Sequence, residues 1–386
     1  MREEWIQPIL DEAKSNGLER VACAFPEVGG KIKVDGKEVL NFSGNDYLDL
    51  AHHRHVIDRS REALEQYGIG STASRLVTGT LPIHEELEAR LAKEKGYGSA
   101  LVFGSGYMAN AGTIPVLAGR EDIVLADKLV HASMIDACKL SGAKLVRFAH
   151  NDVQALEKRL EQYSDHAGRK LVITESVFSM DGDIAPLAEI AALAEKHGAM
   201  LMVDEAHASG TFGPNGAGLV RELGLEGSVT VSMGTLSKAF AGYGGFVACS
   251  GKLRKLLIQS ARAFIYTTAP PPAVIGATLG AMDVLEASPN LGNILQANAD
   301  YFRSLLHAAG LDTLQSQSQI IPIVIGDNEK AVAVSQKLRE EGIIAAAIRP
   351  PTVPTGSARL RLSTTLAHHV DDLERAAKLI VDAVKM

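Results

Sequence analysis

Val229-Thr-Val-Ser-Met-Gly-Thr-Leu-Ser-Lys-Ala-Phe-Ala-Gly-Tyr-Gly-Gly245 decides how the rest of this chain is read. Val229 to Met233 is a short β-branched run and predicts a strand. At Gly234 the chain turns into small and hydroxylated residues, Thr235 and Ser237, and then Lys238. Gly242, Gly244 and Gly245 leave the following backbone able to pass close to a ligand. Lys238 reads in two ways. It is a solvated loop lysine, or an amine held near apolar walls, where a lysine becomes a usable nucleophile or base. The two hydroxyls upstream suit a phosphate neighbour. This stretch alone weighs both readings evenly.

Outward from it, similar runs recur at 100–103, 123–126, 144–148, 171–174, 200–203 and 246–249. Helical patterns separate most of them, for example Leu187 through Glu195. This alternation predicts an α/β fold, a mostly parallel sheet covered by helices on both faces. The rhythm breaks near Pro270-Pro-Pro272, after which a long helical stretch runs to about Gly310. Strand-like runs at 320–325, 343–348 and 358–363, with a helix through Leu338 and a final helix, predict a small α+β domain.

Upstream, residues 1–17 predict an amphipathic helix, with Ile6, Ile9, Leu10 and Ala13 on one face. Lys31 to Leu40 predicts a hairpin turning at Asp35-Gly36. Asn41-Phe-Ser-Gly-Asn-Asp-Tyr-Leu48 fits either a loop with anchoring aromatics or a pocket wall. Gly68-Ile-Gly-Ser-Thr-Ala-Ser-Arg-Leu-Val-Thr-Gly79 fits an anion cradle around Arg75 and a plain mobile loop equally well. The expected organisation is an N-terminal helix and hairpin over 1–40, a large domain over 41–285 and a small C-terminal domain over 286–386.

Composition narrows the function classes. With 39 basic against 46 acidic residues and no basic block, nucleic-acid binding has no electrostatic support. The start, Met1 to Pro8, is charged and leads into no apolar signal core, and no segment is long and apolar enough to span a membrane. Cys23, Cys138 and Cys249 are scattered, forming neither a disulfide framework nor a metal cluster. They fit incidental thiols in a reducing cytoplasm.

In an open parallel sheet, ligands bind beyond the carboxyl ends of the strands. The residues just past each predicted strand therefore matter most. Gly104-Ser-Gly-Tyr-Met-Ala-Asn110 opens a helix whose first amides suit a phosphate, although a lone Gly-x-Gly is more often a plain turn. His131 stands where a helix begins, a position more often structural than catalytic. Ser179 and Asp181 follow the run at 171–174. Asp204 ends the next run with His207 three residues on; a helix cap with a chance histidine is the plain alternative. A metal pair lacks a third ligand motif, so no metal site is expected. An amine, an acid, two histidines and a phosphate-binding helix end on one rim fit pyridoxal 5′-phosphate. That cofactor needs a lysine for its Schiff base and an acid to keep its ring nitrogen protonated.

The stretches Asn41 to Leu48, Val177-Phe-Ser-Met-Asp-Gly-Asp183, Val203-Asp-Glu-Ala-His207, Thr235-Leu-Ser-Lys238, Ile348-Arg-Pro-Pro-Thr-Val-Pro354 and Arg359-Leu-Arg-Leu-Ser363 span nearly the whole chain. In them it resembles the α-oxoamine synthases, which are fold-type I pyridoxal-phosphate transferases. The resemblance implies that Lys238 carries the Schiff base, Asp204 pairs with the ring nitrogen, His131 stacks on the ring and His207 lies near its phenolic oxygen. It implies cofactor contacts from Gly106, Tyr107, Ser179 and Thr235, and from Thr267 or Thr268 of a partner subunit in a homodimer. Arg361 resembles the anchor for an amino-acid carboxylate, while Arg20, Asn45, His131 and Thr352 resemble substrate contacts. Asp49 stands where the family pattern has glycine, which puts the form of that turn in doubt.

The reaction implied is a decarboxylative condensation of an amino acid with an acyl thioester. The Ile348 to Pro354 stretch resembles the branch that joins L-alanine to a pimeloyl thioester, carried on coenzyme A or on an acyl carrier protein. Branches that use glycine with acetyl-coenzyme A share the same cofactor residues. A catalytically silent subunit on the same fold would have lost the lysine, whereas Lys238, Asp204 and His207 are all present.

Overall fold

The Asp35-Gly36 turn builds the first structure the chain makes in common with its C-terminal part. In the computed structural model, which describes residues 2–385, both turn residues have positive φ, 51° and 77°. That geometry joins two strands with the right-handed twist of a hairpin. Strand β1 (Lys31–Val34) therefore pairs antiparallel with β2 (Lys37–Asn41). The N-terminal helix spans Ile6–Ser15 and buries none of its residues.

The larger of two units comprises Asn45–Ser179 and Asp183–Leu295. Its sheet contains β3 (Ser99–Phe103), β4 (Ile123–Asp127), β5 (Lys144–Phe148), β6 (Lys170–Glu175), β7 (Met200–Asp204), β8 (Val231–Thr235) and β9 (Gly245–Cys249). The order is β3-β9-β8-β7-β6-β4-β5, with β9 antiparallel to both neighbours and the other pairs parallel. Strands β4, β8 and β9 are buried at every position, as expected where helices cover both faces. Leu101, Phe103, Ile114, Met134, Ile173, Met202 and Val247 belong to one core cluster there.

Chain direction reverses beside β4: β5 lies on one side of it and β6 on the other. Such a switch leaves a crevice at the strand carboxyl ends. Asp127, Glu175, Asp204 and Thr235 are the last residues of β4, β6, β7 and β8, which places chemistry at that edge.

The smaller unit takes the chain up to Gly44, Met180–Gly182, and the chain from Gln296 onward. Its strands are β10 (Ile320–Gly326), β11 (Ile343–Ile344), β12 (Ala346–Ile348) and β13 (Ala358–Ser363). β10, β13 and β12 form an antiparallel sheet, and β11 adds in parallel to β2 through Ile343 opposite Leu40. Phe302, Ile321, Leu360, Leu373 and Ile380 pack in its core.

Three local expectations shift, and one helix is added. The strand expected over 229–233 begins at Val231 and runs through Thr235, because those residues make the ladder with β7 and β9. The long helical stretch is two helices, Pro272–Ala287 and Leu291–Ala308, since Pro289 cannot donate a helical N–H. The run at 343–348 splits, because β11 and β12 join different sheets. A helix over Arg54–Tyr67 went unread: its mean hydropathy is low and few of its residues are buried.

Candidate active site

Lys238 is held by a closed turn. The Leu236 N–H donates to Gly244 O at 3.0 Å and Gly242 N–H to Leu236 O at 2.8 Å. The Thr235 hydroxyl donates to Gly244 O at 2.9 Å, so the start and end of the turn are stitched together. Lys238 Nζ lies 2.7 Å from His207 Nε2, and His207 Nδ1 lies 2.7 Å from the Tyr47 hydroxyl. Tyr47 is fully buried and donates its proton to Asn45 Oδ1 at 3.0 Å. Its oxygen then accepts from His207 Nδ1–H, which leaves the Nε2 lone pair facing the lysine.

A second chain runs through the acid. Asp204 is 5% exposed; Oδ1 accepts from Ala206 N–H and Oδ2 from Asn110 Nδ2, both at 2.9 Å. Asn110 also donates to Ser133 Oγ at 2.9 Å, and that hydroxyl lies 2.8 Å from His131 Nδ1. His131 caps the helix Ala132–Ser141 by accepting from Ser133 N–H. Packing around its ring holds the His131 pKa below the usual imidazole value, against the pull of Asp204 and with the help of Lys238.

The helix Gly106–Leu117 begins at the same edge, capped by Ser105, which accepts from Met108 N–H at 3.1 Å. The first amides of a helix have no acceptor within it and favour an anion. The wall there is glycine by necessity. A Cβ on Gly245 would stand 2.6 Å from Gly106 N, and one on Gly106 would stand 3.1 Å from the Met233 methyl and 3.6 Å from Thr235. Ser179 is buried and its N–H donates to Glu175 Oε2 at 3.2 Å. The Tyr107 side chain is exposed and donates to Asp136 at 3.1 Å. Thr268 bridges to Ser74, beside Thr267.

In the smaller unit, Arg361 is 7% exposed and donates to Ser363 Oγ at 2.8 Å. Arg359, two residues earlier, is ion-paired with Asp181. Arg20 and Thr352 line one open cavity with Leu18, Val21, Ile348 and Arg349. Arg349 donates to the carbonyls of Gly17 and Glu19.

Other candidates resolve as scaffold. Arg75 is no anion cradle: it is 6% exposed, ion-paired with Glu88 at 2.9 Å and seated over the Phe264 ring. Burial pushes the Cys138 and Cys249 thiols up to about 12, so they stay protonated and inert. Asp49 adopts φ 55°, the left-handed backbone that glycine takes freely and Asp tolerates, so the turn keeps its form. Among the described residues no three His, Cys, Asp or Glu side chains could hold a metal ion, and no helix is long and apolar enough to cross a membrane.

Residues 37–380 match the family model for aminotransferase class I and II. The chain belongs to that family. Within this aminotransferase family it is similar to the 8-amino-7-oxononanoate synthase of Geobacter sulfurreducens, 45% identical over 95% of this chain and 94% of that one. A solved serine palmitoyltransferase of S. paucimobilis, with PLP and myriocin bound, superposes with a TM-score of 0.93 at 33% identity, covering 100% of this chain and 98% of that one. A solved 8-amino-7-oxononanoate synthase of Francisella tularensis gives 0.77 at 32% identity, covering 90% and 98%.

The cofactor of this family member is pyridoxal 5′-phosphate, and the residues present fit it. The large unit has an amine, a buried acid, a ring-shaped neighbour and a helix end for the phosphate. Asn110 Oδ1 is buried there without a hydrogen-bond partner, as a wall awaiting a ligand would leave it. Three members of these chains were not read as site residues from the sequence. Tyr47 lies in the Asn41 to Leu48 stretch, whose two aromatics fit a pocket wall. Asn110 stands one helical turn past Gly106, and Ser133 two positions past the His131 cap; spacing alone could have suggested both.

Proposed function

We propose that this protein is an 8-amino-7-oxononanoate synthase, condensing L-alanine with a pimeloyl thioester in biotin synthesis. The observation that carries the reading is the Lys238–His207 contact of 2.7 Å beside the buried Asp204, in a chain 45% identical to a synthase of that name. Pyridoxal phosphate, when bound, supplies an electron sink for the charge left at the amino acid's α-carbon. Lys238 is the base that takes the α-proton. The His207 Nε2 lone pair, oriented by Tyr47, keeps the amine positioned and shares its proton. Asp204 would pair with the cofactor's ring nitrogen, and Asn110 and the Ala206 N–H keep that carboxylate in place.

The α-carbon then bonds to the acyl carbon, and the carrier thiol leaves. Carbon dioxide departs, and a proton takes its place to give the amino ketone. Arg361 is the proposed carboxylate anchor, supported by the engagement of Arg359 with Asp181. Arg20 and Thr352 are proposed contacts for the acyl substrate, supported by their shared cavity. The thioester is carried on coenzyme A or on an acyl carrier protein.

We further propose a cytoplasmic homodimer in which Thr267 or Thr268 reaches the partner's phosphate. Ile69, Val77 and Tyr266 support it: they are 82%, 75% and 71% exposed in segments adjoining the Ser74–Thr268 bridge. A fully active monomer in sedimentation at assay concentration would rule that out.

The substrate test is carbon dioxide release from alanine, glycine or serine, each against acetyl, pimeloyl and palmitoyl thioesters. Alanine with the pimeloyl thioester should give the highest kcat/KM. The preference over glycine is expected to be modest, since one methyl group is worth about 1–3 kcal/mol. If glycine with acetyl-coenzyme A wins, the protein is an acetyltransferase of the same family.

A further inference from the structure

Glu175 ends β6 directly beside the residue that ends β7: Glu175 and Asp204 are register partners on adjacent parallel strands. Register partners leave a sheet on the same face. Two carboxyl groups thus stand side by side, Glu175 3% and Asp204 5% exposed. Two neighbouring buried carboxylates do not both stay ionised. The surroundings choose between them. Asp204 has a donor on each oxygen, Ala206 N–H and the Asn110 amide. Glu175 has Ser179 N–H on Oε2 at 3.2 Å, while Oε1 is buried with no hydrogen-bond partner. An anionic oxygen left in that position would lose its hydration and gain no donor. An O–H in the same position carries no charge and needs only an acceptor.

We propose that Glu175 is a neutral carboxylic acid whose Oε1–H donates to an acceptor atom of the bound cofactor, leaving Asp204 as the charged carboxylate of the pair. Glu175 is thereby a cofactor-binding and positioning residue. The titratable groups facing it agree with that assignment. Burial and the neighbouring Asp204 push its carboxyl well above the usual range, opposed by Lys238 and by the amides of His131 and Ser179. The separation also serves the chemistry. A neutral donor beside Asp204 would leave the pairing with the ring nitrogen to Asp204 alone.

The test uses the full-length holoenzyme and compares Glu175→Gln with Glu175→Met. Gln is the neutral isostere with a donor, and Met removes the hydrogen bond while keeping the volume. Glu175→Gln should bind pyridoxal phosphate within about threefold of the parent, with an unchanged pH midpoint for the cofactor's visible band. Glu175→Met should bind it about tenfold more weakly, the loss of one buried hydrogen bond. An infrared difference spectrum of the parent minus Glu175→Gln at neutral pH should show a protonated-carboxyl carbonyl band. A Gln variant as weak as Met, a Met variant as tight as the parent, or a missing band overturns the proposal. If Glu175→Met fails to fold, the Gln variant and the infrared band still decide it. None of these readouts uses an acyl substrate, so a wrong substrate assignment would leave them unmoved.

Discussion

Two lysines flank the turn Asp204-Glu205-Ala206-His207, and they have opposite surroundings. Lys95 Nζ donates to Glu205 Oε2 and to Ser209 Oγ, both at 2.8 Å, with side chains 3% and 0% exposed in the ion pair. Glu205 is in turn satisfied by Ser232 Oγ at 2.7 Å and Val220 N–H at 2.9 Å. A Cβ on Gly218 would come within 2.6 Å of that carboxylate, so nothing else enters. Lys238 Nζ meets the His207 imidazole nitrogen at 2.7 Å. An ammonium closed in by a carboxylate and hydroxyls is a structural tie. The proposed chemistry falls to the lysine that faces an oriented imidazole beside glycine walls. One four-residue turn thus carries scaffold on one side and chemistry on the other.

The largest effect that would sharpen this contrast comes from Lys238→Ala. Turnover should fall by about three orders of magnitude or more, and borohydride should no longer fix label in that peptide. The melting temperature should change little. Labelling found at Lys95 in the parent protein would break the comparison outright.

The mirror experiment is Lys95→Met, which leaves Glu205 buried without its cation. Chemical denaturation should show a loss of about 3–5 kcal/mol, with near-normal turnover per folded molecule. Pairing it with Glu205→Leu should recover part of that loss. Equal damage to turnover from Lys95→Met and Lys238→Ala would erase the distinction.

His207→Gln sits between these. It removes the lone pair facing Lys238, so turnover should drop by about 10- to 100-fold at unchanged stability. Steady-state rates beside thermal melts make the check.

The smallest effect concerns a second scaffold cluster. His150 Nδ1 lies 3.0 Å from Asp127 and Nε2 2.7 Å from Asp183. Burial of the ring opposes its charge, yet hydrogen bonds to both carboxylates raise its pKa to about 9. A group raised on folding stabilises fully below its unfolded value, about 6.5, and loses that contribution as pH climbs through about 9. Allowing for solvent screening, about 1–2 kcal/mol should disappear over that window. Denaturation midpoints taken from pH 6 to pH 10 should show the slope in the parent and a flat profile in His150→Gln.

How far the sequence could be read follows the same divide. Strands announced themselves because β-branched runs buried on both faces need no partner to be recognised. Lys238, Asp204 and His207 stand out in the sequence because each lies at or just past a strand end. Tyr47 reaches His207 across 160 positions and Lys95 reaches Glu205 across 110, so no local pattern could connect them. Glu175 was hidden for a different reason: its meaning depends on strand order, which places it next to Asp204. Arg75's partner Glu88 lies only 13 positions on, yet composition alone left Arg75 open between ligand site and loop.

The reversed strand β9 has an engineering consequence. Because it runs antiparallel to β8, Lys238 hangs on a direct return from Thr235 to Gly245, with no crossover helix between. Slack cannot be stored in such a return. A single inserted residue within 236–244 would slide Gly245 off its register with Thr235 and shift the turn that carries Lys238. New specificities built on this scaffold are therefore better sought by recombining the 348–361 segment than by lengthening the lysine's own loop.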